Sequence, residues 1–336
     1  MYIDKPENFE TYVLDEIEYI FREDGRFSLM TYNERKFING IIRQTKPKKI
    51  LEIGMAAGGS SLLMLNAIKD IKDSKLYSID YIEKWWEDTS KNIGFLVEER
   101  GQNLLDKWKP YRGGVAAKFI EEIGGDIDIC LLDSAHHNPG ELLDFLMVLP
   151  FLKKNAIVII HDIIIPHTYN SNPNYYHQYI NKEYYPEGIT CGALFSCLKG
   201  KKYTINSQYF NGLGNIGAVI LDDNIMENLF DYFFILTFPW YYIPTDNDFN
   251  YMMTLFNKYY SKSLIDLFVS IILRNKNIFN SNEIKSDNLE DKVSYEIKFH
   301  NLQDQFNRLV NSIAWCIPVK KWRDNFRNKI LYGRAE

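Results

Sequence analysis

The chain reads as an α/β protein: a doubly wound, seven-stranded, mostly parallel sheet, with helices before it and a helical C-terminal extension after it. Three observations predict this. Between Lys48 and Leu62, KKILEIGMAAGGSSL, a run of β-forming residues meets a glycine-rich turn and then a helical pattern. A second apolar strand, KLYSID at 75–80, ends in an acid. Residues 126–162 then repeat strand, helix and strand, and both strands are continuous apolar runs of the kind covered on two faces. Strands that alternate with helices need crossover connections, and those make a parallel sheet.

Taken in order, residues 7–22 and 31–45 read as two helices, the second carrying Phe37, Ile38, Ile41 and Ile42 on one face before Pro47 stops it. They form an N-terminal helical cap over residues 1–46. Strand 49–53 follows, then the glycine turn and a helix bearing Leu62, Leu63, Leu65 and Ile68. After strand 75–80, a helix holding Trp85 and Trp86 runs to about residue 105, and 109–112 is a weaker strand followed by Gly113 and Gly114. Residues 127–132 form a strand ending at Asp133, 142–152 a helix, 153–155 a turn, and 156–160 a strand ending at His161 and Asp162. A helix at 192–198 and strands at 202–206 and 216–221 complete a sheet domain of residues 47–222. Residues 226–239 and 251–272 look helical and form an extension over 223–280. Residues 281–292 are a polar linker. Beyond it, Tyr295, Phe299, Leu302, Phe306, Leu309, Ile313 and Cys316 recur in steps of four and three. That spacing suits either a coiled-coil seam, and so a homo-oligomer, or one amphipathic helix docked on its own domain.

Composition bounds the function. The 336 residues are 46% hydrophobic and 25% charged, ordinary for a globular protein, and the net charge of −5 argues against a general nucleic-acid binder. The N-terminus lacks the apolar stretch of a secretion signal, and no window is apolar enough to span a membrane. Cys130, Cys191, Cys197 and Cys316 show neither metal nor disulfide spacing, so the reducing cytoplasm is the expected compartment. Residues 313–334 hold six Lys or Arg against Asp324, with aromatic rings between them. Such a segment suits peripheral contact with an anionic membrane, or is a solvated helix face.

The glycine turn separates the possible ligands. No lysine follows Gly58 or Gly59, as a triphosphate-binding loop requires, and the pattern Glu52-x-Gly54-x-x-x-Gly58-Gly59 is not the dinucleotide fingerprint. Free N–H groups at the helix start could receive a carboxylate or phosphate, and Asp80 at a strand end suits ribose hydroxyls. Here the sequence resembles the class I S-adenosylmethionine-dependent methyltransferases, whose first motif has this form. The resemblance implies a Rossmann-like methyltransferase fold and S-adenosyl-L-methionine as cofactor, bound by Glu52, Gly54, Gly58, Ser60 and Asp80.

Five of the six histidines, His136, His137, His161, His167 and His177, lie between residues 136 and 177. Three sit at or after strand ends on the ligand-bearing rim, where an imidazole can accept a proton near neutral pH. Asp133-Ser134-Ala135-His136-His137, with Asp144 further on and His161-Asp162 at the next strand end, resembles the branch that holds sugar O-methyltransferases of antibiotic and surface-glycan pathways. The resemblance covers roughly residues 30–222. It implies that Asp133 and Asp162 hold a divalent cation such as Mg²⁺, and that His136 or His161, with Asp133, orients or deprotonates the acceptor. One departure stands against the metal: position 163 is Ile, where metal-using members often carry an acid or Asn. The tyrosines of 168–186 suit stacking on a sugar face or plain packing. The expected function is methyl transfer to a hydroxyl of a sugar or nucleotide sugar in surface polysaccharide synthesis. The alternatives are an amine acceptor, and a scaffold without turnover in a glycan-assembly complex.

Overall fold

The computed structural model describes residues 3–164, 189–205, 212, 214–238 and 240–283. Residues Met1–Asn275 form one compact unit, and a second unit begins at Lys276. The 168–186 tyrosines, His167, His177, the seam at 295–316 and the basic tail at 313–334 lie outside the described residues.

The sheet has seven strands: β1 (Lys49–Ile53), β2 (Lys75–Asp80), β3 (Trp108–Arg112), β4 (Ile127–Leu132), β5 (Leu152–His161), β6 (Gly200–Thr204) and β7 (Ile216–Leu221). Their spatial order is β3-β2-β1-β4-β5-β7-β6, with β7 antiparallel to both neighbours and every other pair parallel. The order reverses between β1 and β4, so the crevice for a ligand opens at the carboxyl ends of those two strands. Apolar runs put the central strands inside: β4 and β7 are buried almost throughout.

Helices cover both faces. The N-terminal part holds α1 (Tyr12–Asp15), α2 (Glu18–Glu23) and α3 (Tyr32–Thr45). The single helix expected at 7–22 is thus two short ones, and the break sets Glu18 against Arg35 as a buried ion pair. α3 starts at a capping box in which the Thr31 side chain accepts from the Glu34 N–H and Glu34 accepts from the Thr31 N–H. α4 (Gly59–Ala67) follows the glycine turn.

The helix expected from Trp85 to residue 105 is shorter. Residues 81–94 are irregular, because Asp88 turns the chain by accepting from both the N–H and the hydroxyl of Ser90, and Gly94 takes a left-handed conformation, φ 77°. Only α5 (Phe95–Arg100) and a 3₁₀ segment follow. α6 (Ala116–Ile123) was not expected, although Ala116, Ala117, Ile120 and Ile123 recur at helical spacing and are buried. After α7 (Gly140–Val148), the polar residues Lys153–Asn155 lie inside β5 as a bulge rather than before it. The register jumps there from Ile127↔Leu152 to Ile129↔Ile157, and Asn155 has φ 58°. α8 (Ile189–Cys197) precedes β6. The extension holds α9 (Leu229–Ile235), α10 (Asp246–Tyr259) and α11 (Lys262–Glu283). The last runs past the start of the linker expected at 281. Among the described residues, no helix is long and apolar enough to cross a membrane.

Candidate active site

The glycine turn is built by steric necessity. Gly54 has φ 93°, and a Cβ there would lie 1.9 Å from the carbonyl oxygen of Asp133; this keeps β1 and β4 together at the crevice. Asp80, ending β2, folds the turn back: its Oδ2 accepts from the N–H groups of Met55 (2.8 Å) and Ala56 (3.2 Å), and its Oδ1 from Ile82 (3.1 Å). Burial holds its carboxyl above the ordinary range, against the pull of those N–H groups. Each oxygen keeps acceptor capacity for a ribose hydroxyl. Glu52 lies beneath the turn, fully buried, accepting from the hydroxyls of Ser60 (2.5 Å), Ser61 (2.5 Å) and Ser78 (2.6 Å).

Above the turn is a cavity of about 1330 Å³. Gly54, Ser60, Asp80, Asp133, His136, His161 and Asp162 all line it, whereas Glu52 and Gly58 do not. Its walls come from the segment Arg26–Thr31 before α3, the strand ends, residues of α6 and α7 (Ala116, Leu143, Asp144, Met147), and the stretch from Tyr242 to Met252 in the extension. The ends of β4 and β5 bring the aspartates and histidines together. His136 Nδ1 lies 3.0 Å from Asp162 Oδ2 and 3.3 Å from Glu141 Oε1, and His161 Nδ1 lies 3.2 Å from Asp133 Oδ1 and 3.3 Å from Asp162 Oδ2.

Residues 51–163, the glycine turn through the end of β5, match a family model described as "Methyltransferase domain". The chain carries a methyltransferase domain. No curated protein sequence matches the chain. Solved structures similar to it include the O-methyltransferase TomG from Streptomyces achromogenes in complex with S-adenosylmethionine, at 15% identity, with 62% of this chain and 89% of that one covered and a TM-score of 0.44. An O-methyltransferase from Bacillus cereus in complex with S-adenosylhomocysteine gives 14%, 62%, 90% and 0.44. At such values neither likeness bears on the chemistry, which rests on the side chains.

In the methyltransferase, four carboxylates (Glu34, Asp133, Glu141, Asp162) face two imidazoles (His136, His161) in a buried space. Burial opposes charge on His136, yet Glu141, Asp162 and Asp133 together push it up to about 10. His161 is likewise raised despite burial, by Asp162 and Asp133, and Asp162 is held low against burial by His161 and His136. The fit is incomplete: His136 Nδ1, His161 Nε2, Glu34 Oε1 and both Glu141 oxygens are buried with no aligned hydrogen-bond partner. Donor atoms of Asp133, His136 and Asp162 all lie within 4.8 Å of one another. Excess negative charge, misaligned donors and this O, N, O set together fit a divalent cation.

Three residues of this cluster were not singled out from sequence. Asn215, just before β7, donates from Nδ2 to Asp162 Oδ1 at 2.7 Å and so supplies from another strand the partner that Ile163 does not. Glu34 is explained locally by its capping box, and only the fold brings the same oxygen, Oε2, to 3.7 Å from His161 Nε2. Glu141 opens α7 five residues after His136. The loop between is anchored to the extension: Asn138 accepts from the Tyr241 N–H (2.7 Å) and donates to the Phe238 carbonyl (2.7 Å), while His137 stacks on Tyr241 at 4.1 Å.

Proposed function

We propose that the methyltransferase moves a methyl group to a hydroxyl of a sugar or nucleotide sugar, in the assembly of a surface polysaccharide. The observation that carries the oxygen-transfer reading is His136, backed by Asp162, on the wall of a cavity large enough for two ligands. Ligand pockets commonly hold about 300–1,000 Å³, and this one exceeds that range. The sugar and the pathway rest on the sequence resemblance around Asp133–His137 and His161–Asp162.

Bound S-adenosyl-L-methionine supplies a methyl carbon made electrophilic by its sulfonium. Gly54, Ser60 and Asp80 would hold the cofactor, while Gly58 and Glu52 act at one remove, Gly58 by letting the turn pack on the Gly94 backbone and Glu52 by fixing Ser60 and Ser61. As the acceptor oxygen bonds the methyl carbon and the carbon–sulfur pair goes to sulfur, His136 takes the hydroxyl proton. Its Nδ1 is buried toward Asp162 while the side chain is 38% exposed, which leaves Nε2 for the acceptor. Asp133 and Asp162 would hold a divalent cation such as Mg²⁺, which would lower the pKa of the acceptor hydroxyl. Its charge would also return the imidazoles toward their ordinary range. Peripheral attachment to an anionic membrane through 313–334, and a homo-oligomer through the seam, belong to the same reading.

Replacing His136 with Asn tests it. Turnover should fall by about 10²- to 10⁴-fold, with S-adenosylhomocysteine affinity unchanged; full turnover in the variant removes His136 as base. Mass spectrometry of surface glycan from a deletion strain should show one missing methylene increment. The acid-rich wall also favours a second reading, an amine acceptor, which an N-linked product methyl would establish.

A further inference from the structure

His136 meets two carboxylates at one nitrogen: Nδ1 lies 3.0 Å from Asp162 Oδ2 and 3.3 Å from Glu141 Oε1. The two acids differ in what else they reach. Asp162 lines the cavity, is held by Asn215 through Oδ1, and belongs to the set of donor atoms that can take a cation. Glu141 does not line the cavity and is 1% exposed, so it stands behind His136, set back from any ligand.

A tight return of the chain puts it there. Gly140, the first residue of α7, packs so closely on the preceding loop that a Cβ would lie 2.0 Å from the Ala135 carbonyl oxygen, and its N–H donates to the His137 carbonyl at 2.8 Å. Only glycine allows that approach, and it brings the next residue against His136. Glu141 then sits in the first turn of α7, where the helix start favours negative charge. A carboxylate buried so fully needs a partner, and among the described residues its ion-pair partner is His136. Both of its oxygens are without an aligned hydrogen bond, so their accepting capacity is open to the imidazole.

We infer that Glu141 is a positioning residue for methyl transfer: its carboxylate accepts the Nδ1 proton of His136, fixes the tautomer that leaves Nε2 for the acceptor hydroxyl, and frees Asp162 for a cation. This rests on His136 being the base and goes beyond it in naming the acid that orients it. When Nε2 takes the hydroxyl proton, the acceptor oxygen bonds the methyl carbon and the carbon–sulfur pair goes to sulfur. The imidazole then carries a positive charge, which the buried carboxylate balances. A nitrogen that holds a proton has no lone pair for a metal, so the cation is left to Asp133 and Asp162.

Two measurements on the full chain test this, and the first needs no acceptor. In nitrogen NMR with isotope-labelled histidine, the signal absent from His136→Asn should show a proton on Nδ1 in the presence of Mg²⁺ and S-adenosylhomocysteine. A bare Nδ1 overturns the inference even if no Glu141 variant folds. In Glu141→Gln the form protonated on Nε2 should appear; an unchanged Nδ1 proton would assign it to Asp162 and also overturn the inference. The second measurement is turnover of unmethylated surface glycan from the deletion strain. Glu141→Gln should lower kcat by about 10²-fold, with KM and S-adenosylhomocysteine affinity unchanged, and Glu141→Asp should recover part of the rate. Added to His136→Asn, Glu141→Gln should cost nothing more, because it acts through that imidazole. Losses that multiply mark a structural role and overturn the inference. If His136→Asn keeps full turnover, the base reading fails and this inference falls with it; if His136→Asn loses turnover while Glu141→Gln keeps it, the inference alone is overturned. A glycan that the wild type does not methylate refutes the proposed acceptor, and the NMR measurement still decides the role of Glu141.

Discussion

Glu52 is a buried acid held by three hydroxyls and no cation, and its titration is therefore a property of the fold. Burial raises its carboxyl, the serine hydroxyls pull it back, nearby Asp133 raises it further, and it stands at about 7 rather than its ordinary 4.5. A pKa raised in the folded state means that the native protein holds the proton more tightly than the unfolded chain. The contribution is complete below the unfolded value of 4.5 and is lost as pH rises through 7. At about 1.4 kcal/mol per unit, the loss across that window is on the order of 3 kcal/mol. Glu52→Gln cannot ionise, so urea unfolding at pH 5 and pH 7 should show a smaller loss of stability with rising pH than the wild type. Parallel pH slopes in the two proteins would show that Glu52 is ionised, with little penalty, in both states. Because Glu52 touches only the serines and not the cavity, the variant should keep most of its cofactor affinity.

At the scale of elements, α10 and the loop before it act as a side wall of the cavity, and Asp248 is their fastening. Its carboxylate joins Tyr81 to Thr245, and its N–H is capped by the Thr245 hydroxyl at 3.2 Å. Asp248→Ala keeps the capped N–H but loses the hydrogen bonds from the Tyr81 and Thr245 hydroxyls; it should destabilise the fold by about 1–2 kcal/mol and should also weaken S-adenosylhomocysteine binding by calorimetry. A variant that loses stability while binding normally would make the extension a buttress only. This wall was not legible in the sequence, where 223–280 read as an appendage: its contacts with Tyr81 and Asn138 join residues about a hundred positions apart or more. The strands were legible because continuous apolar runs have few alternatives in an α/β chain, and with them came the placement of Asp80, Asp133, His161 and Asp162 on one rim. What local patterns missed has local causes: the Asp88–Ser90 turn broke a run that looked helical, and the Lys153–Asn155 bulge put polar residues inside a strand. Glu34 and Asn215 carry no mark in the sequence of the company they keep.

For the molecule as a whole, the extension and the domain share one core. Tyr232 packs edge-on against Phe145 of α7, and Phe233 meets Phe256, Tyr260 and Phe268 in an aromatic cluster that is buried throughout. The Tyr260 hydroxyl donates to the Leu146 carbonyl, again on α7. Burying one such ring contributes about 1.5–3 kcal/mol, so the five together are of the order of 10 kcal/mol, comparable with the whole stability of a typical domain, about 5–15 kcal/mol. A chain ended at residue 222 would keep every strand and every residue of the Asp–His cluster, yet would leave α7 bare on the side that bears the cavity wall. It should show no cooperative thermal transition and no binding of S-adenosylhomocysteine. A chain ended at residue 283 keeps the aromatic cluster and Asp248, so it should melt cooperatively and bind the nucleoside as the full chain does. If the tail holds the protein on membranes, the longer truncation should also no longer sediment with vesicles of anionic phospholipid. A cooperative, nucleoside-binding fragment ending at residue 222 would show instead that the sheet domain is complete alone and that the extension is carried by it.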